Sequence, residues 1–513
     1  MYERRAEECA RYTIPSSFMR DSQDKKADLD LPWQSLGADG LTSLAAKLKQ
    51  VLFPSNVPFF RLSLSQEELK KVSDNFQEAA QGDPQTFQIA FQQFRDFADS
   101  GMSMYEQEAI KVMESRGDGP KQYQVFLQLL VAGNCLIKDT RVSREFSVCR
   151  LNSYVVKRDD TGKILEVILK ETLSRESLLE VPGVDKEALA SYIDSPENKE
   201  AQFFDFYTGA KLKDGKYDVT QEIQGGDTSE PLMVSQADFD EDDLPVRPLR
   251  LYTVAGENYS RSYVDQFLGD LKTLDGLYKA VSEGTAAATR FIWCINPNST
   301  ITPDDINQAE NGDAIVGNPE DVRPLSAEGK INDLSSAYRL IEKLEMRLGK
   351  VFLLHSAVQR DAERVTATEV ARMIQELEVQ LGGIYSLLSQ EFQRPYVWFL
   401  LDSIKSLPPL PKNIVDTAII TGQDALGRTE EVSRVDEFLA RVLQSVPNGP
   451  MYLKTKPLIE RYARNLGVQD FQSLCKTEEE VQAEQEAARE AQLEQTTVER
   501  GTGPAIQALA ANQ

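Results

Sequence analysis

GENYSRSYVDQFLGDLKTLDGL, residues 256–277, opens the part of the chain whose order of elements says most about its fold. Tyr263, Phe267, Leu271, Leu274, Leu277 and Val281 step by three and four, which lines one face of an α-helix and predicts an amphipathic helix to about Arg290. Pro297, Pro303, Gly312, Gly317, Pro319 and Pro324 then punctuate short apolar runs such as Phe291 to Ile295, so 291–331 reads as a compact β-rich or irregular insertion. A second long helix is expected from Asn332, with Leu334, Tyr338, Ile341, Leu344, Leu348 and Val351 on one face. Gln359 to Val365 forms a short charged break. Thr366 to Glu369 has the capping-box pattern that satisfies the first N–H groups of a helix. The stripe behind it, Val370, Met373, Ile374, Leu377, Leu381, Ile384, Leu388 and Phe392, predicts a third helix ending near Pro395 or Pro408. Any one stripe fits a plain helical bundle. The order of helix, insertion, helix, charged loop and long helix is the more specific signal.

Working outward, Leu41, Leu44, Ala45, Leu48 and Leu52 predict a helix stopped by Pro54 and Pro58. The apolar run 123–137 reads as another helix. Phe146–Lys157 and Lys163–Lys170 read as strands joined by the turn cluster Asp159–Gly162, and 202–223 as a second hairpin around Lys213-Asp214-Gly215. Residues 1–258 therefore form a mixed unit, and the fold class is α+β, mainly helical. Beyond Pro411, a strand-like run at Thr417–Thr421 precedes helices around Val432–Val446 and Tyr452–Leu466. The Glu- and Gln-rich stretch Thr477–Glu499 carries no sustained apolar stripe and is expected to add little to any core.

Composition excludes more than it selects. With 513 residues, 41% hydrophobic and 27% charged, the chain is ordinary globular material. No run of about 18 apolar residues is present, and the N-terminus is charged from Glu3 onward, so neither a membrane helix nor a secretory signal is expected. Cys9, Cys135, Cys149, Cys294 and Cys475 are scattered and read as reduced, small core residues. His355 is the single histidine, read as packed or helix-capping; Trp33 and Trp293 read as packing aromatics. No H-E-x-x-H, C-x-x-C, G-x-S-x-G or P-loop pattern occurs. The run Asp238, Asp240, Glu241, Asp242 and Asp243 is contiguous, whereas two-metal nucleases draw carboxylates from separate elements; it reads as a solvated loop. No catalytic residue, metal or cofactor is expected. The net charge of −24 runs against a protein that grips nucleic acid by neutralising phosphates. Either DNA is irrelevant to this chain or it must pass without sticking.

Several collinear stretches resemble a known family: RAEECARYTIPS (5–16), PWQSLGADGLTSLAAKL (32–48), VLFP (51–54), LVAGNCL (130–136), RLNSYVVKRDDTGKIL (150–165), the segment 256–277, INP (295–297), HSAVQRDAERVTATEV (355–370) and LGGIYSLLSQEFQ (381–393). Together they are similar to the portal, or head-to-tail connector, proteins of short-tailed bacteriophages. The chain opens almost directly on the first of them, where that family usually carries a leader, which leaves an upstream start open.

The resemblance implies a portal fold assembled as a dodecameric ring at one capsid vertex of the virion, built in the host cytoplasm, through which DNA is packaged, retained and ejected. It implies a wing at 1–258, stem helices at 259–290 and 332–357, a clip at 291–331, a tunnel loop at 358–365, a long wing helix at 366–410, a crown at 411–475 and a C-terminal tail at 476–513. Gln359, Arg360, Asp361, Glu363 and Arg364 would line the channel. Asn296, Pro297, Asp304, Asp305, Asn311 and Asp313 would face the tail or the terminase. The implied partners are further copies of the chain, the major capsid protein, the terminase large subunit, a tail adaptor, internal core proteins and double-stranded DNA read without sequence specificity, with no membrane. Such proteins have no catalytic residues, since a separate terminase hydrolyses ATP. Two other readings stand beside this one: a structural adaptor or scaffold of the head–tail junction through which no DNA passes, and a metal-dependent nuclease built on the acidic run. A narrow charged loop between long helices favours the portal over the adaptor, and the nuclease fails on ligand placement.

Overall fold

The computed structural model describes residues 1–19, 29–54, 58–79, 84–140, 145–179, 181, 186–196, 198–199, 201–225, 230–288, 293–324, 330–354, 383–420 and 438–442. The chain divides into two units, Met1–Asp424 and Ala425–Gln513. In the second, residues 438–442 are helical; the expected helix at Tyr452–Leu466, Cys475 and the C-terminal tail lie outside the described residues.

The first unit begins with α1 (Tyr2–Arg11) and α2 (Leu36–Leu52), followed by β1 (Phe60–Leu64) and the helices α3 (Gln66–Ala79), α4 (Pro84–Ser115) and α5 (Asp118–Ala132). The stripe read from the sequence does the packing: Leu41, Leu44, Ala45, Leu48 and Leu52 are buried on α2, which lies against Val125, Phe126, Leu129 and Leu130 of α5. The helix expected over 123–137 ends earlier. Gly133 takes φ +73, and a Cβ there would sit 2.5 Å from the Arg261 carbonyl carbon. The left-handed cap closes α5 at Ala132. The apolar residues that follow become β2 (Asn134–Thr140), the middle strand of a three-stranded sheet ordered β3-β2-β9.

The strand expected at Phe146–Lys157 is in fact two. β3 (Glu145–Cys149) pairs with β2, a helical turn at Leu151–Ser153 reorients the chain, and β4 (Tyr154–Arg158) joins a different sheet. That sheet is antiparallel and ordered β4-β5-β6-β7-β8; β5 is Ile164–Ser174, then come α6 (Arg175–Leu179) and α7 (Lys186–Ile193), β6 (Phe203–Lys213), β7 (Lys216–Gln224) and β8 (Leu232–Phe239), with β9 (Val246–Arg250) returning to β2. Both expected hairpins form. The Asp159 carboxylate accepts from the N–H of Thr161 and of Lys163, and Asp214 and Gly215 supply the two positive φ angles of a two-residue turn. One sheet face buries Phe204, Phe206 and Ile223 under Leu178, Leu189 and Ile193.

The acidic run lies at the surface but is tethered. Arg394 meets Asp242 at 3.2 Å, Lys163 meets Glu241 at 3.5 Å, Lys412 pairs with Asp243, and Arg247 donates to the carbonyls of Glu241 and Asp242. It is held by cations from the helix at Arg394, the β4–β5 turn and the strand at Val246–Arg250, and is more than a free loop. Two further expectations are corrected: Trp33 and Trp293 are about half exposed, at 51% and 47%, and Cys294 is exposed, while Cys9 and Cys135 are buried.

Three long-helix elements follow: α8 (Leu268–Ala288), then β10 (Trp293–Ile295), α9 (Pro303–Gln308) and β11 (Val322–Pro324), then α10 (Lys330–Val351), and finally α11 (Ile384–Leu388) and α12 (Arg394–Ser403) before β12 (Val415–Ile419). Pro395 does not end the third helix. A wide π-turn at Ser389–Gln393 joins α11 to α12, with Pro395 in the first turn of α12, where its missing N–H costs little. The helix stops at Ser403. β12 then pairs antiparallel with β1, so residues 415–419 belong with the first unit.

Tyr396 of α12 stands among Phe53, Phe59, Phe146, Phe392 and Phe399. Its hydroxyl donates to the fully buried Asp118 carboxylate at 2.7 Å. Burial, and then Asp118, push the phenol well above its ordinary pKa. Tyr396→Phe keeps the ring but removes a donor from a buried carboxylate, and should cost about 1–3 kcal/mol. A lower denaturant midpoint at unchanged slope is the expected result.

Candidate functional site

The hairpin of α8 and α10 is antiparallel, joined at one end by the 293–324 insertion. Leu271, Leu274 and Val281 face Ile341, Leu344 and Leu348, all buried, as their spacing predicts. Asp270 pairs with Arg347, and the Tyr278 hydroxyl donates to Glu345. Tyr338, expected on the inner face, is instead 51% exposed. It lies beside a groove of about 490 Å³ lined by Tyr278, Val281, Thr285, Ile341 and Glu342.

The insertion is small and exposed. β10 and β11 pair over three residues, and Ile301 is its buried apolar side chain among those described. Half of the residues expected to face a partner do local structural work. Asn296 donates to Asp321 at 3.2 Å, and the Asp313 carboxylate accepts from the Glu310 N–H. Asp305 forms a capping box with Thr302, whose backbone N–H and hydroxyl hold that carboxyl below the usual range. Pro297, Asp304 and Asn311 are exposed on the same unit.

The other end of the hairpin is locked. Phe352 is fully buried against Tyr263 and Phe267, and its ring lies so close to α2 that a Cβ on Gly40 would fall 2.6 Å from it. The Tyr263 hydroxyl donates to the Val351 carbonyl at 3.0 Å, and the buried Lys47 donates to the Leu353 carbonyl at 2.6 Å. Leu353 itself takes φ +56, so the helix ends here under a left-handed residue. His355, Gln359, Arg360, Asp361, Glu363, Arg364 and the capping box at Thr366 all lie outside the described residues.

Where the description resumes, Gly383 is again left-handed at φ +77, and the following helix is anchored by charge. Glu391, on the π-turn, meets Arg250 at 2.8 Å and Arg158 at 3.8 Å. Both guanidiniums also donate to the Gly162 carbonyl in the β4–β5 turn. Burial pushes the Glu391 carboxyl up, with Arg158 and Arg250 drawing it back, and burial lowers the Arg158 guanidinium. Gln393 donates to the Leu52 carbonyl at 2.6 Å. Lys47, Phe352, Arg158, Arg250 and Glu391 were not singled out by sequence reasoning. The available signal was a charge set inside an apolar stripe: Lys47 beside Leu44 and Leu48, and Glu391 between Leu388 and Phe392. Among the described residues no group of His, Cys, Asp or Glu is placed to hold a metal ion. The arrangement fixes both roots of the 355–382 segment.

The family model for the bacteriophage head to tail connecting protein matches residues 1–471. The chain belongs to that family. It is 34% identical over 444 residues to the portal protein of Escherichia phage T7, covering 85% of this chain and 78% of that one. It is 32% identical over 498 residues to the portal protein of Enterobacteria phage T3, covering 94% and 86%. Among solved structures, a chain from the neck of an empty gene transfer agent particle aligns over 82% of this chain and 88% of its own length, with 13% identity and a TM-score of 0.36.

Within this connector, the contact between α2 and Phe352 leaves no room for a methyl group. Gly40→Ala should therefore cost about 1–3 kcal/mol through overpacking, read as a lowered unfolding midpoint. Gly276→Ala on α8, where a Cβ would meet nothing within 4 Å, should be neutral or slightly stabilising.

Proposed function

We propose that this chain is the portal subunit of a short-tailed phage: a ring of about twelve copies at one vertex of the virion, assembled in the host cytoplasm, through which DNA enters, is held and leaves. The observation that carries this is the family match over 1–471, together with portal-protein relatives above 30% identity over most of the chain. The physical design supports it. Two helices form a stiff strut, one end bears a small exposed unit, the other end is locked to the core, and a segment of balanced charge follows it in the sequence. In this reading 1–258 is the wing, 259–290 and 332–357 the stem, 291–331 the clip facing the terminase large subunit and later the tail adaptor, and 358–365 the tunnel loop. In the same reading 366–410 is the long wing helix and 411–475 the crown, whose strand β12 pairs with β1. The major capsid protein would contact the wing, and internal core proteins the crown.

Ring formation is the first test. Mass photometry of the purified chain should give a species near twelve times 57.5 kDa, with closed symmetry covering apolar surface that one copy leaves open. A sharp monomer at micromolar concentration would sink the proposal.

A second test addresses the loop. Arg360→Ala with Arg364→Ala should leave rings assembled, since exposed ion pairs contribute about 0–1 kcal/mol each. Genome packaging or retention should nevertheless fall, because the change repeats at one constriction. Packaging and retention at the parental level would count against a gate at 358–365.

A further inference from the structure

The five-stranded sheet β4–β8 packs one face on α6 and α7 and leaves the other open. On the open face the cross-strand register sets side chains in rows that run from edge to edge. The middle row is Val155, Ile168, Gly209, Thr220 and Gln236, one residue from each strand and none of them charged. Val155 is 59% exposed and Ile168 36%. The row on one side is Lys157, Glu166, Lys211, Asp218 and Asp238, and the row on the other is Lys170, Tyr207, Glu222 and Met233. A groove of about 470 Å³ lies between them, with Ile168, Gly209 and Thr220 in its lining.

Nothing in the described structure calls for glycine at 209. Its φ is not left-handed, and its pairing with β5 and β7 carries no bulge. The first atom a Cβ would meet is the Thr220 hydroxyl at 3.2 Å, the end of a side chain that can turn away. Glycine weakens a strand interior, and where there is no bulge or bend its use is to let another molecule approach the backbone. The dimensions say what fits. The two flanking rows are four residues apart along each strand, about 14 Å, which admits an α-helix about 10–12 Å across. An extended chain would leave most of that width empty. Five strands about 4.8 Å apart span about 19 Å, the length of about 13 helical residues. Charge gives the direction. Asp205 holds Lys170 at 2.8 Å, and Lys213 holds Asp218. That leaves Lys157 and Lys211 with Glu166 over β4–β6, against Glu222 and Asp238 over β7 and β8, none of them in an ion pair among the described residues.

We propose that this trench seats an amphipathic helix of about 13 residues from a partner protein, lying across the strands with its N-terminus over β7 and β8. The positive end of the helix dipole then meets Glu222 and Asp238, and the negative end meets Lys157 and Lys211. The apolar stripe of the helix covers Val155 and Ile168 and sets one large side chain over Gly209, the helix-in-groove mode of recognition. Its flanks are basic in the first half and acidic in the second.

The test uses the full-length chain and two fluorescent stapled helices of about 16 residues with one leucine stripe. One carries lysines in its first half and glutamates in its second; the other has the reverse order. By fluorescence anisotropy the lysine-first helix should bind about tenfold or more tightly than the other. Gly209→Val should keep or raise the unfolding midpoint, because a β-branched residue suits a strand. It should weaken the lysine-first helix about tenfold or more by filling the floor. Glu222→Lys with Asp238→Lys should abolish the preference for charge order, and decides the matter if Gly209→Val perturbs the fold. Equal affinity for the two helices, binding of neither, or parental affinity in a folded Gly209→Val chain overturns the proposal. So do assembled rings that bind neither helix and lose mass in Gly209→Val, a result that assigns the face to contact between copies.

Discussion

The burial of Phe352 against Gly40 is the contact on which the rest of this architecture depends. It joins the last turn of α10 to α2 at a distance that only glycine permits. Tyr263 and Phe267, at the start of the partner helix, close the same pocket from the other side. One aromatic ring thereby ties both helices of the strut to the N-terminal core, and aromatic rings packed edge to face gain about 0.5–1.5 kcal/mol beyond their buried area. The polar contacts around it serve direction more than strength. Lys47 must pass through an apolar seam to reach the Leu353 carbonyl, and an ammonium is retained in such a place only where its hydrogen bonds are met. The end of α10 is therefore fixed to the core at Phe352 and Leu353.

The return of the chain is held by different physics. Glu391 sits between two guanidiniums in a site where burial outweighs their attraction on its carboxyl. Such clusters are poor sources of net stability, because desolving three ions offsets most of what their pairing gains. They are strict about geometry, however. The π-turn presents Glu391 to Arg158 and Arg250, and both guanidiniums also donate to the Gly162 carbonyl. An apolar contact would tolerate a sliding helix; this one fixes the helix to one turn of the β4–β5 hairpin. The two roots are thus matched in function, one by close packing and one by directed charge.

Charge is distributed with the same economy across the surface. The acidic run at 238–243 is used internally, drawing in Arg394 and Lys412 from the chain around α12. Of the α10 cations, Arg347 pairs with Asp270, while Arg339, Lys343 and Lys350 have no ion-pair partner among the described residues.

The sequence by itself determined the helices of the strut, the helix at 36–52, both hairpin turns and the family. Each of these rests on a local pattern, a 3.6-residue stripe or a turn dipeptide, or on collinear motifs that distant packing does not alter. Only the tertiary structure decided where the apolar run 123–137 changes from helix to strand, because Gly133 must yield to the Arg261 backbone pressed against it. The same holds for the split of 146–157 between two sheets, since the partner strands lie far along the chain. Pro395 failed as a stop signal because a π-turn upstream made room for it. Lys47, Arg158 and Glu391 look like surface residues in a linear reading. Each has a partner from 90 to more than 300 residues away, and burial of charge is a property of that meeting, which no local pattern contains.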